Sequence, residues 1–261
     1  MKHLPVVTTI AAAAILAAAF SAHAADMAEG QDVAAHEWDV SAGIAATTDY
    51  VSDGISQTDT NPAVQGYIEA TFGMFYAGVW ASNVDFQDEA DAEVDYSAGL
   101  RHEFDKLSVD FGILYYAYYQ RPAASYDAVE IQLKTSYVLT DQLTLNANAG
   151  YLPAWADVTD DFWNIDAGIE WAFHEKWTAS ANVGASLLGV SGGDYVWWNA
   201  GVSWSPFEHV TLDVRYWDTD IEDTDCGIAD TCDARVVATL SVDFSLKDLM
   251  HRDTDPVVAK Y

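Results

Sequence analysis

Hydrophobic and polar residues alternate along most of this chain. In residues 162–173, FWNIDAGIEWAF, Trp163, Ile165, Ala167, Ile169 and Trp171 share one phase of a two-residue repeat, and Asn164, Asp166, Gly168 and Glu170 share the other. In AEVDYSAGLRHEF, Val94, Tyr96, Ala98, Leu100, His102 and Phe104 oppose Glu93, Asp95, Ser97, Gly99, Arg101 and Glu103 in the same way. A period of two with β-branched and aromatic content predicts strands. They fall near 37–48, 63–72, 74–84, 92–104, 107–119, 126–138, 143–152, 162–173, 177–188, 195–204, 209–217 and 234–244, about twelve in all.

The connections between these runs alternate in length. Gly73, Asp105-Lys106, TDQ at 140–142, HEK at 174–176 and SPFE at 205–208 are tight, whereas DYVSDGISQTDTNP, DFQDEAD, QRPAAS, PAWADVTDD, GVSGGD and DTDIEDTDCGIADTC are longer and mostly acidic. Short turns at one end and long loops at the other, on strands of about ten residues, are the habit of outer-membrane barrels. The expected fold class is therefore all-β: a transmembrane antiparallel up-and-down β-barrel of about 12 strands. Both termini then lie on the short-turn, periplasmic side.

Aromatic placement decides which face meets lipid. Trp163 and Trp171 lie on the apolar phase near opposite ends of one strand, with Phe75, Phe104, Tyr137, Trp177, Trp204 and Phe244 at the turn ends of theirs. Tyr119, Tyr126, Tyr151, Trp198 and Tyr216 lie near the loop ends. Such rings suit the two membrane interfaces. The core of a soluble barrel would instead gather aromatics in mid-strand, where this phase carries Ala, Val, Ile and Leu.

The other phase then faces a lumen, where water can hydrate charge. It holds Asp39, Glu69, Glu93, Asp95, Asp110, Glu130, Asp166, Glu170, Asp213 and Asp243, against Arg101, Lys134, Arg215 and Arg235. Acids outnumber bases, and some of these charges must pair across strands. Tyr67, Tyr76, Trp80, Tyr116, Tyr118, Trp197 and Trp217 share this phase. They either stack a ligand ring or fill and constrict the lumen, and filling with constriction is the simpler expectation.

Composition sharpens the picture. The chain carries 41 Asp and Glu against 11 Lys and Arg, which argues against nucleic acid and favours cations. Its start, MKHLPVVTTIAAAAILAAAFSAHAAD, has a basic residue, a short apolar run and Ala22-His23-Ala24, the parts of a secretory signal peptide. An uncleaved anchor would need about 20 apolar residues. The domain reading is a signal peptide at 1–24, a periplasmic segment at 25–36, the barrel at 37–244 and a periplasmic extension at 245–261. The destination is the outer membrane of a Gram-negative bacterium.

The stretch from Ser52 to Phe86, with GISQT, NPAVQG and FYAGVWASNVDF, resembles the signature of the proteobacterial Gcw_chp family, whose members are often labelled TorF family porins. The resemblance implies a secreted outer-membrane barrel and leaves its cargo open. Beyond residue 86 it rests on strand pattern and on ARVVATLSVDF. Family members typically carry Phe-Arg before GISQT, where this chain has Ser52 and Asp53, so a basic charge near the mouth has become acidic. Barrels of this type also commonly end on an aromatic strand residue. Phe244 takes that place here, ahead of a tail.

Three further sets could carry chemistry. Cys226 and Cys232 are the chain's two cysteines, and in an oxidising compartment a loop-closing disulfide is the expectation, with a metal pair as the alternative. Asp218, Asp220, Glu222, Asp223 and Asp225, with Asp230 and Asp233, crowd the last long loop. They form a solvated acidic loop or a set of oxygen ligands for divalent cations bridging to lipopolysaccharide. His102, His174 and His209 converge with no Ser and Asp at one strand height, so no enzyme is expected. No cofactor is expected either. The leading function is passive diffusion of small hydrophilic solutes with cations preferred, and the alternative is a closed barrel with a structural or surface-binding role. A soluble periplasmic β-protein is the third reading.

Overall fold

The structure, a computed structural model, describes residues 38–88, 90–119, 127–154, 161–189, 193–222 and 224–247. The leader, the whole 25–36 segment and residues 248–261 of the extension lie outside them, as does Tyr126. The strands are β1 (Trp38–Thr47), β2 (Val51–Ser52), β3 (Ile55–Ser56), β4 (Ala63–Phe72), β5 (Phe75–Asn83), β6 (Ala92–Phe104) and β7 (Leu107–Tyr119). They continue with β8 (Ala128–Thr140), β9 (Leu143–Leu152), β10 (Phe162–His174), β11 (Trp177–Leu187), β12 (Tyr195–Phe207), β13 (Val210–Thr219) and β14 (Arg235–Ser245). All but β2 and β3 close into one antiparallel barrel, in which each strand pairs with its chain neighbour and β14 returns to β1.

The faces follow the alternation. Trp163 is 46 % and Ile165 44 % exposed, whereas Asn164 between them is buried. An exposed apolar belt of this extent costs about 25 cal/mol per Å² in water. In lipid that cost vanishes, and closure leaves no strand edge unpaired in hydrocarbon. The barrel therefore spans a membrane. Phe75, Phe104, Tyr137, Trp177, Trp204 and Phe244 ring its turn end outside, with Trp177 stacked on Trp204 at 5.6 Å. Tyr119, Trp198 and Tyr216 are exposed at the loop end, and Tyr151 packs on Trp163 at 4.6 Å.

Two local departures have clear causes. The turn expected at 205–208 shrinks to Glu208-His209, because β12 continues through Ser205-Pro206 to Phe207 with a register shift between Trp204 and Phe207. A bulge tolerates a proline, which cannot donate to the ladder. The second departure is larger. The first long connection, expected among the outward loops, contains the hairpin β2–β3 and folds into the lumen. Asp53 and Gly54 at its tip have φ of 46° and 82°. Positive φ at both central residues is the type I′ turn that an Asp-Gly pair favours.

Candidate functional site

The site is the lumen, together with the loop folded inside it. At the turn end the walls carry two ionic clusters on opposite sides of the ring. Arg101 on β6 donates to Glu69 at 3.1 Å and to Asp110 at 3.0 Å, with its guanidinium 4.7 Å from the Tyr76 ring centroid. Tyr76 in turn donates to Asp110 at 2.8 Å. It can lie flat because the wall beneath is glycine: a Cβ on Gly99 would sit 2.6 Å from its hydroxyl. Across the ring, Arg215 on β13 pairs with Asp213 at 3.0 Å and donates to Asn199 at 2.7 Å and Ser180 at 2.8 Å.

Between these clusters runs a row set by strand register. Arg101 faces Asp110, Asp110 faces Lys134, Lys134 faces Asn148, and Asn148 faces Asp166. Asn148 donates to Asp166 at 2.9 Å, and Asn146 to Glu170 at 2.9 Å. The carboxylates of β10 are therefore met by neutral amides. Amides solvate charge without cancelling it.

Toward the loop end the lumen closes. Tyr116, Leu114, Trp80, Tyr118, Tyr195 and Trp197 are buried, and the hairpin fills the space among them. Its contacts go almost round the ring. Tyr50 donates to Glu93 of β6 at 3.3 Å and packs on Trp80 of β5 with centroids 5.3 Å apart. Asp53 accepts from Asn164 of β10 at 2.6 Å, and Asn164 accepts from Ser186 of β11 at 2.7 Å. A Cβ on Gly54 would meet Thr219 of β13 at 2.6 Å and Trp197 of β12 at 3.0 Å, so only glycine fits there. Asp49 ties the root of the loop. It accepts from Ser56 at 2.6 Å, from Thr58 at 2.9 Å and from Arg235 of β14 at 2.7 Å.

The hairpin fills this end incompletely along β8 to β10. A polar cavity of about 30 Å³ remains there, lined by Glu130, Gln132, Lys134, Asn148, Asn164 and Asp166. That is room for about one or two waters. Glu130 accepts from Tyr116 and from Gln132. The lumen aromatics Tyr116, Tyr118, Trp80 and Trp197 sit around the hairpin, whereas Tyr76 belongs to the turn-end ionic cluster and Trp217 packs 6.1 Å from Trp197.

The outer loops bear on this plug. Cys226 and Cys232 are bonded, and within their ring the Thr231 carbonyl accepts from the Ser56 amide at 2.9 Å. The next long loop holds the same segment, where the Asp85 amide donates to Gln57 at 2.9 Å. Of the loop acids, Asp218 accepts from Tyr216 at 2.6 Å and Asp220 from the Val196 amide at 2.7 Å, which ties them to strand ends. Glu222 and Asp225 are not gathered with them, and Asp223 lies outside the described residues. Among the described residues no group of three or more His, Cys, Asp and Glu is placed to hold a metal ion.

Asp53 differs from its expected setting. It is buried, at 2 % exposure, just inside the loop end of the lumen, against Asn164 near the start of β10. Burial raises its pKa well above the ordinary carboxylate range, and the nearby charges of Glu130 and Asp166 push the same way. Arg235 also has a particular task, since its partner is Asp49 of the inner loop and not a wall acid. Asp49, Tyr50 and Asn164 were not singled out from sequence. The signal able to find the inner loop is Asp53-Gly54 between Val51 and Ile55, a two-residue hairpin pattern inside a stretch that otherwise reads as loop.

Fold and site define a single-chain transmembrane β-barrel with a charged lumen and one loop folded inside it. The chain belongs to the Gcw_chp family, described as bacterial protein of unknown function, whose pattern matches residues 31–244. No curated protein matches it. Among solved structures it is similar to the KdgM porin, with a TM-score of 0.53 at 10% identity over 79% of this chain and 98% of that one. A structure of the KdgM porin in complex with disordered oligogalacturonate gives 0.52 at 8% identity over 79% and 98%. The NanC porin gives 0.48 at 12% identity over the same shares. At these identities the likeness to the two KdgM structures is one of fold.

Proposed function

We propose that the protein is an outer-membrane channel for passive diffusion of small hydrophilic solutes, with cations preferred. The observation that carries this reading is the imbalance of lumen charge. Arg101 and Arg215 hold Glu69, Asp110 and Asp213, whereas Asp166, Glu170, Glu130 and Glu93 receive hydrogen bonds from Asn148, Asn146, Gln132 and Tyr50. Charge of one sign in a narrow tube with low-dielectric walls attracts counter-ions. Lys134 is the main offset on that wall. The turn-end half supplies a polar vestibule, and the hairpin narrows the loop end to the small cavity along β8 to β10.

In planar bilayers under a KCl gradient, the reversal potential should have the sign of K⁺ preference. It should shrink when Glu93, Asp110 and Asp166 are neutralised together. Anion preference in the unmodified protein contradicts the charge argument. The outer-membrane orientation is tested separately: tags placed within residues 219–231 should be reachable on intact cells, and tags after Phe244 should not.

The hairpin favours a second reading, a closed barrel with a structural or surface-binding role. Divalent ions at Asp218, Asp220, Glu222, Asp223 and Asp225, bridging to lipopolysaccharide, would serve such a role. Liposome swelling separates the two. Entry of small sugars supports the channel, and failure of entry with and without the hairpin supports the closed barrel.

A further inference from the structure

The hairpin meets the barrel wall through like charges. Asp53 at its tip is buried, and its Oδ1 has no hydrogen-bond partner among the described residues, while Oδ2 accepts from Asn164. Every element around it contributes to the balance. Glu93 and Asp95 face the lumen from β6, Glu130 and Lys134 from β8, and Asp166 from β10. The neutral groups are Tyr116 on β7, Ser186 on β11, Tyr195 and Trp197 on β12 and Thr219 on β13; Tyr50 belongs to the loop itself. Asp95 is 1 % exposed beside Glu93, and no cationic or neutral donor meets its carboxylate among the described residues. Among the described residues, Lys134 is the one cationic side chain on the walls that face the tip. Asp49 and Arg235 satisfy each other at the loop's root and leave the tip uncompensated.

We propose that the hairpin is a proton-controlled plug: it seats when the Asp53 carboxyl is protonated and is driven out of the lumen when Asp53 ionises opposite Glu130 and Asp166. The hinge is the loop itself, which joins β1 to β4 and is held to neighbouring loops by a few hydrogen bonds. Released, Asp53 meets water and regains an ordinary carboxylate pKa. The seated value is raised by burial first and then by Glu130 and Asp166. Seating is therefore fully favoured below the ordinary carboxylate range, and that contribution is lost as pH rises through the raised, seated-state value. Acid closes the lumen and alkali opens it.

This deepens the channel reading and rests on it for its consequence, but movement of the plug can be read without any current. The experiment is labelling of Ser52→Cys by a charged, membrane-impermeant thiol reagent in lipid vesicles. Both native cysteines are already bonded to each other, and Ser52 is buried beside the tip. Rates are divided by those of Asp88→Cys on an exposed loop, which removes the thiol's own pH dependence. Between about pH 4 and pH 9 the ratio should climb by up to about tenfold per pH unit through the transition, the limit for one proton. Ser52→Cys with Asp53→Asn should stay slow throughout. Ser52→Cys with Glu130→Gln, a second and independent variant, should label more slowly than Ser52→Cys at alkaline pH. A flat ratio in Ser52→Cys overturns the proposal, and so does an undiminished climb with Asp53→Asn. If labelling follows pH while the bilayer stays silent at every pH, the plug moves as proposed and the channel reading fails.

Discussion

At the turn end of the lumen Arg101 and Arg215 hold carboxylates at 3.0 to 3.1 Å. At the loop end, Glu93, Glu130 and Asp53 are met by Tyr50, Tyr116 and Asn164, all neutral donors. The side chains of the turn-end pairs are 8 to 31 % exposed, whereas Glu93 and Asp95 are at 1 %. Water separates the two halves: one keeps it, the other is filled by the chain's own loop. Ion pairs that keep some access to water avoid part of the desolvation penalty, which for a buried pair can exceed the attraction. Where the hairpin expels water, charges without a cationic partner become a source of stored repulsion.

The comparison is broken most strongly at the root of the loop. Asp49→Ala removes the acceptor of Ser56, Thr58 and Arg235 at once and leaves a largely buried guanidinium without its carboxylate. Losing one partner of such a pair costs about 3 kcal/mol. Its cost falls on the seated loop, so liposome swelling with a small sugar should accelerate several-fold while heat-modifiable gel mobility is kept. Unchanged swelling would show that the loop's seat does not limit passage.

A change in the wet half should alter selectivity and leave passage alone. Arg101→Gln deletes the cation that holds Glu69 and Asp110, so the reversal potential in a KCl gradient should move further toward K⁺, with swelling close to the parent's. A shift toward Cl⁻ would contradict the charge balance.

The smallest effect is expected at the disulfide. Replacing Cys226 and Cys232 by Ser opens a short ring, in which the Thr231 carbonyl receives the Ser56 amide. The barrel's own ladder is untouched, so the folded band should persist and swelling should rise by less than about twofold, as expected for a local staple. Loss of the folded band would mean that the bridge supports the whole barrel.

Strand number, phase and loop asymmetry were legible in the sequence because each strand is a long two-residue repeat, and a slip of one residue would turn its charges into lipid. Tyr76 and Arg101 could be assigned to the lumen on phase alone. Their partnership could not, since it depends on the stagger that brings β5, β6 and β7 residues to one height and on the bare wall at Gly99. The course of the first loop was harder to foresee for a different reason. Its polar residues, Asp49, Ser56, Gln57 and Thr58, read as solvated, but their hydrogen bonds are made to one another, to Arg235 and to neighbouring loops. Only the Asp53-Gly54 turn marks it as an ordered hairpin.

The central claim is that an acid-rich lumen is closed at one end by residues 48–62. Its most direct test is the current through a variant in which residues 51–57 are replaced by a short Gly-Ser linker, compared with the parent in planar bilayers under a KCl gradient. The account predicts a conductance higher by about tenfold or more, as removal of a constriction requires, with the reversal potential still on the K⁺ side. A variant that is silent, conducts no better than the parent or reverses on the Cl⁻ side would contradict it.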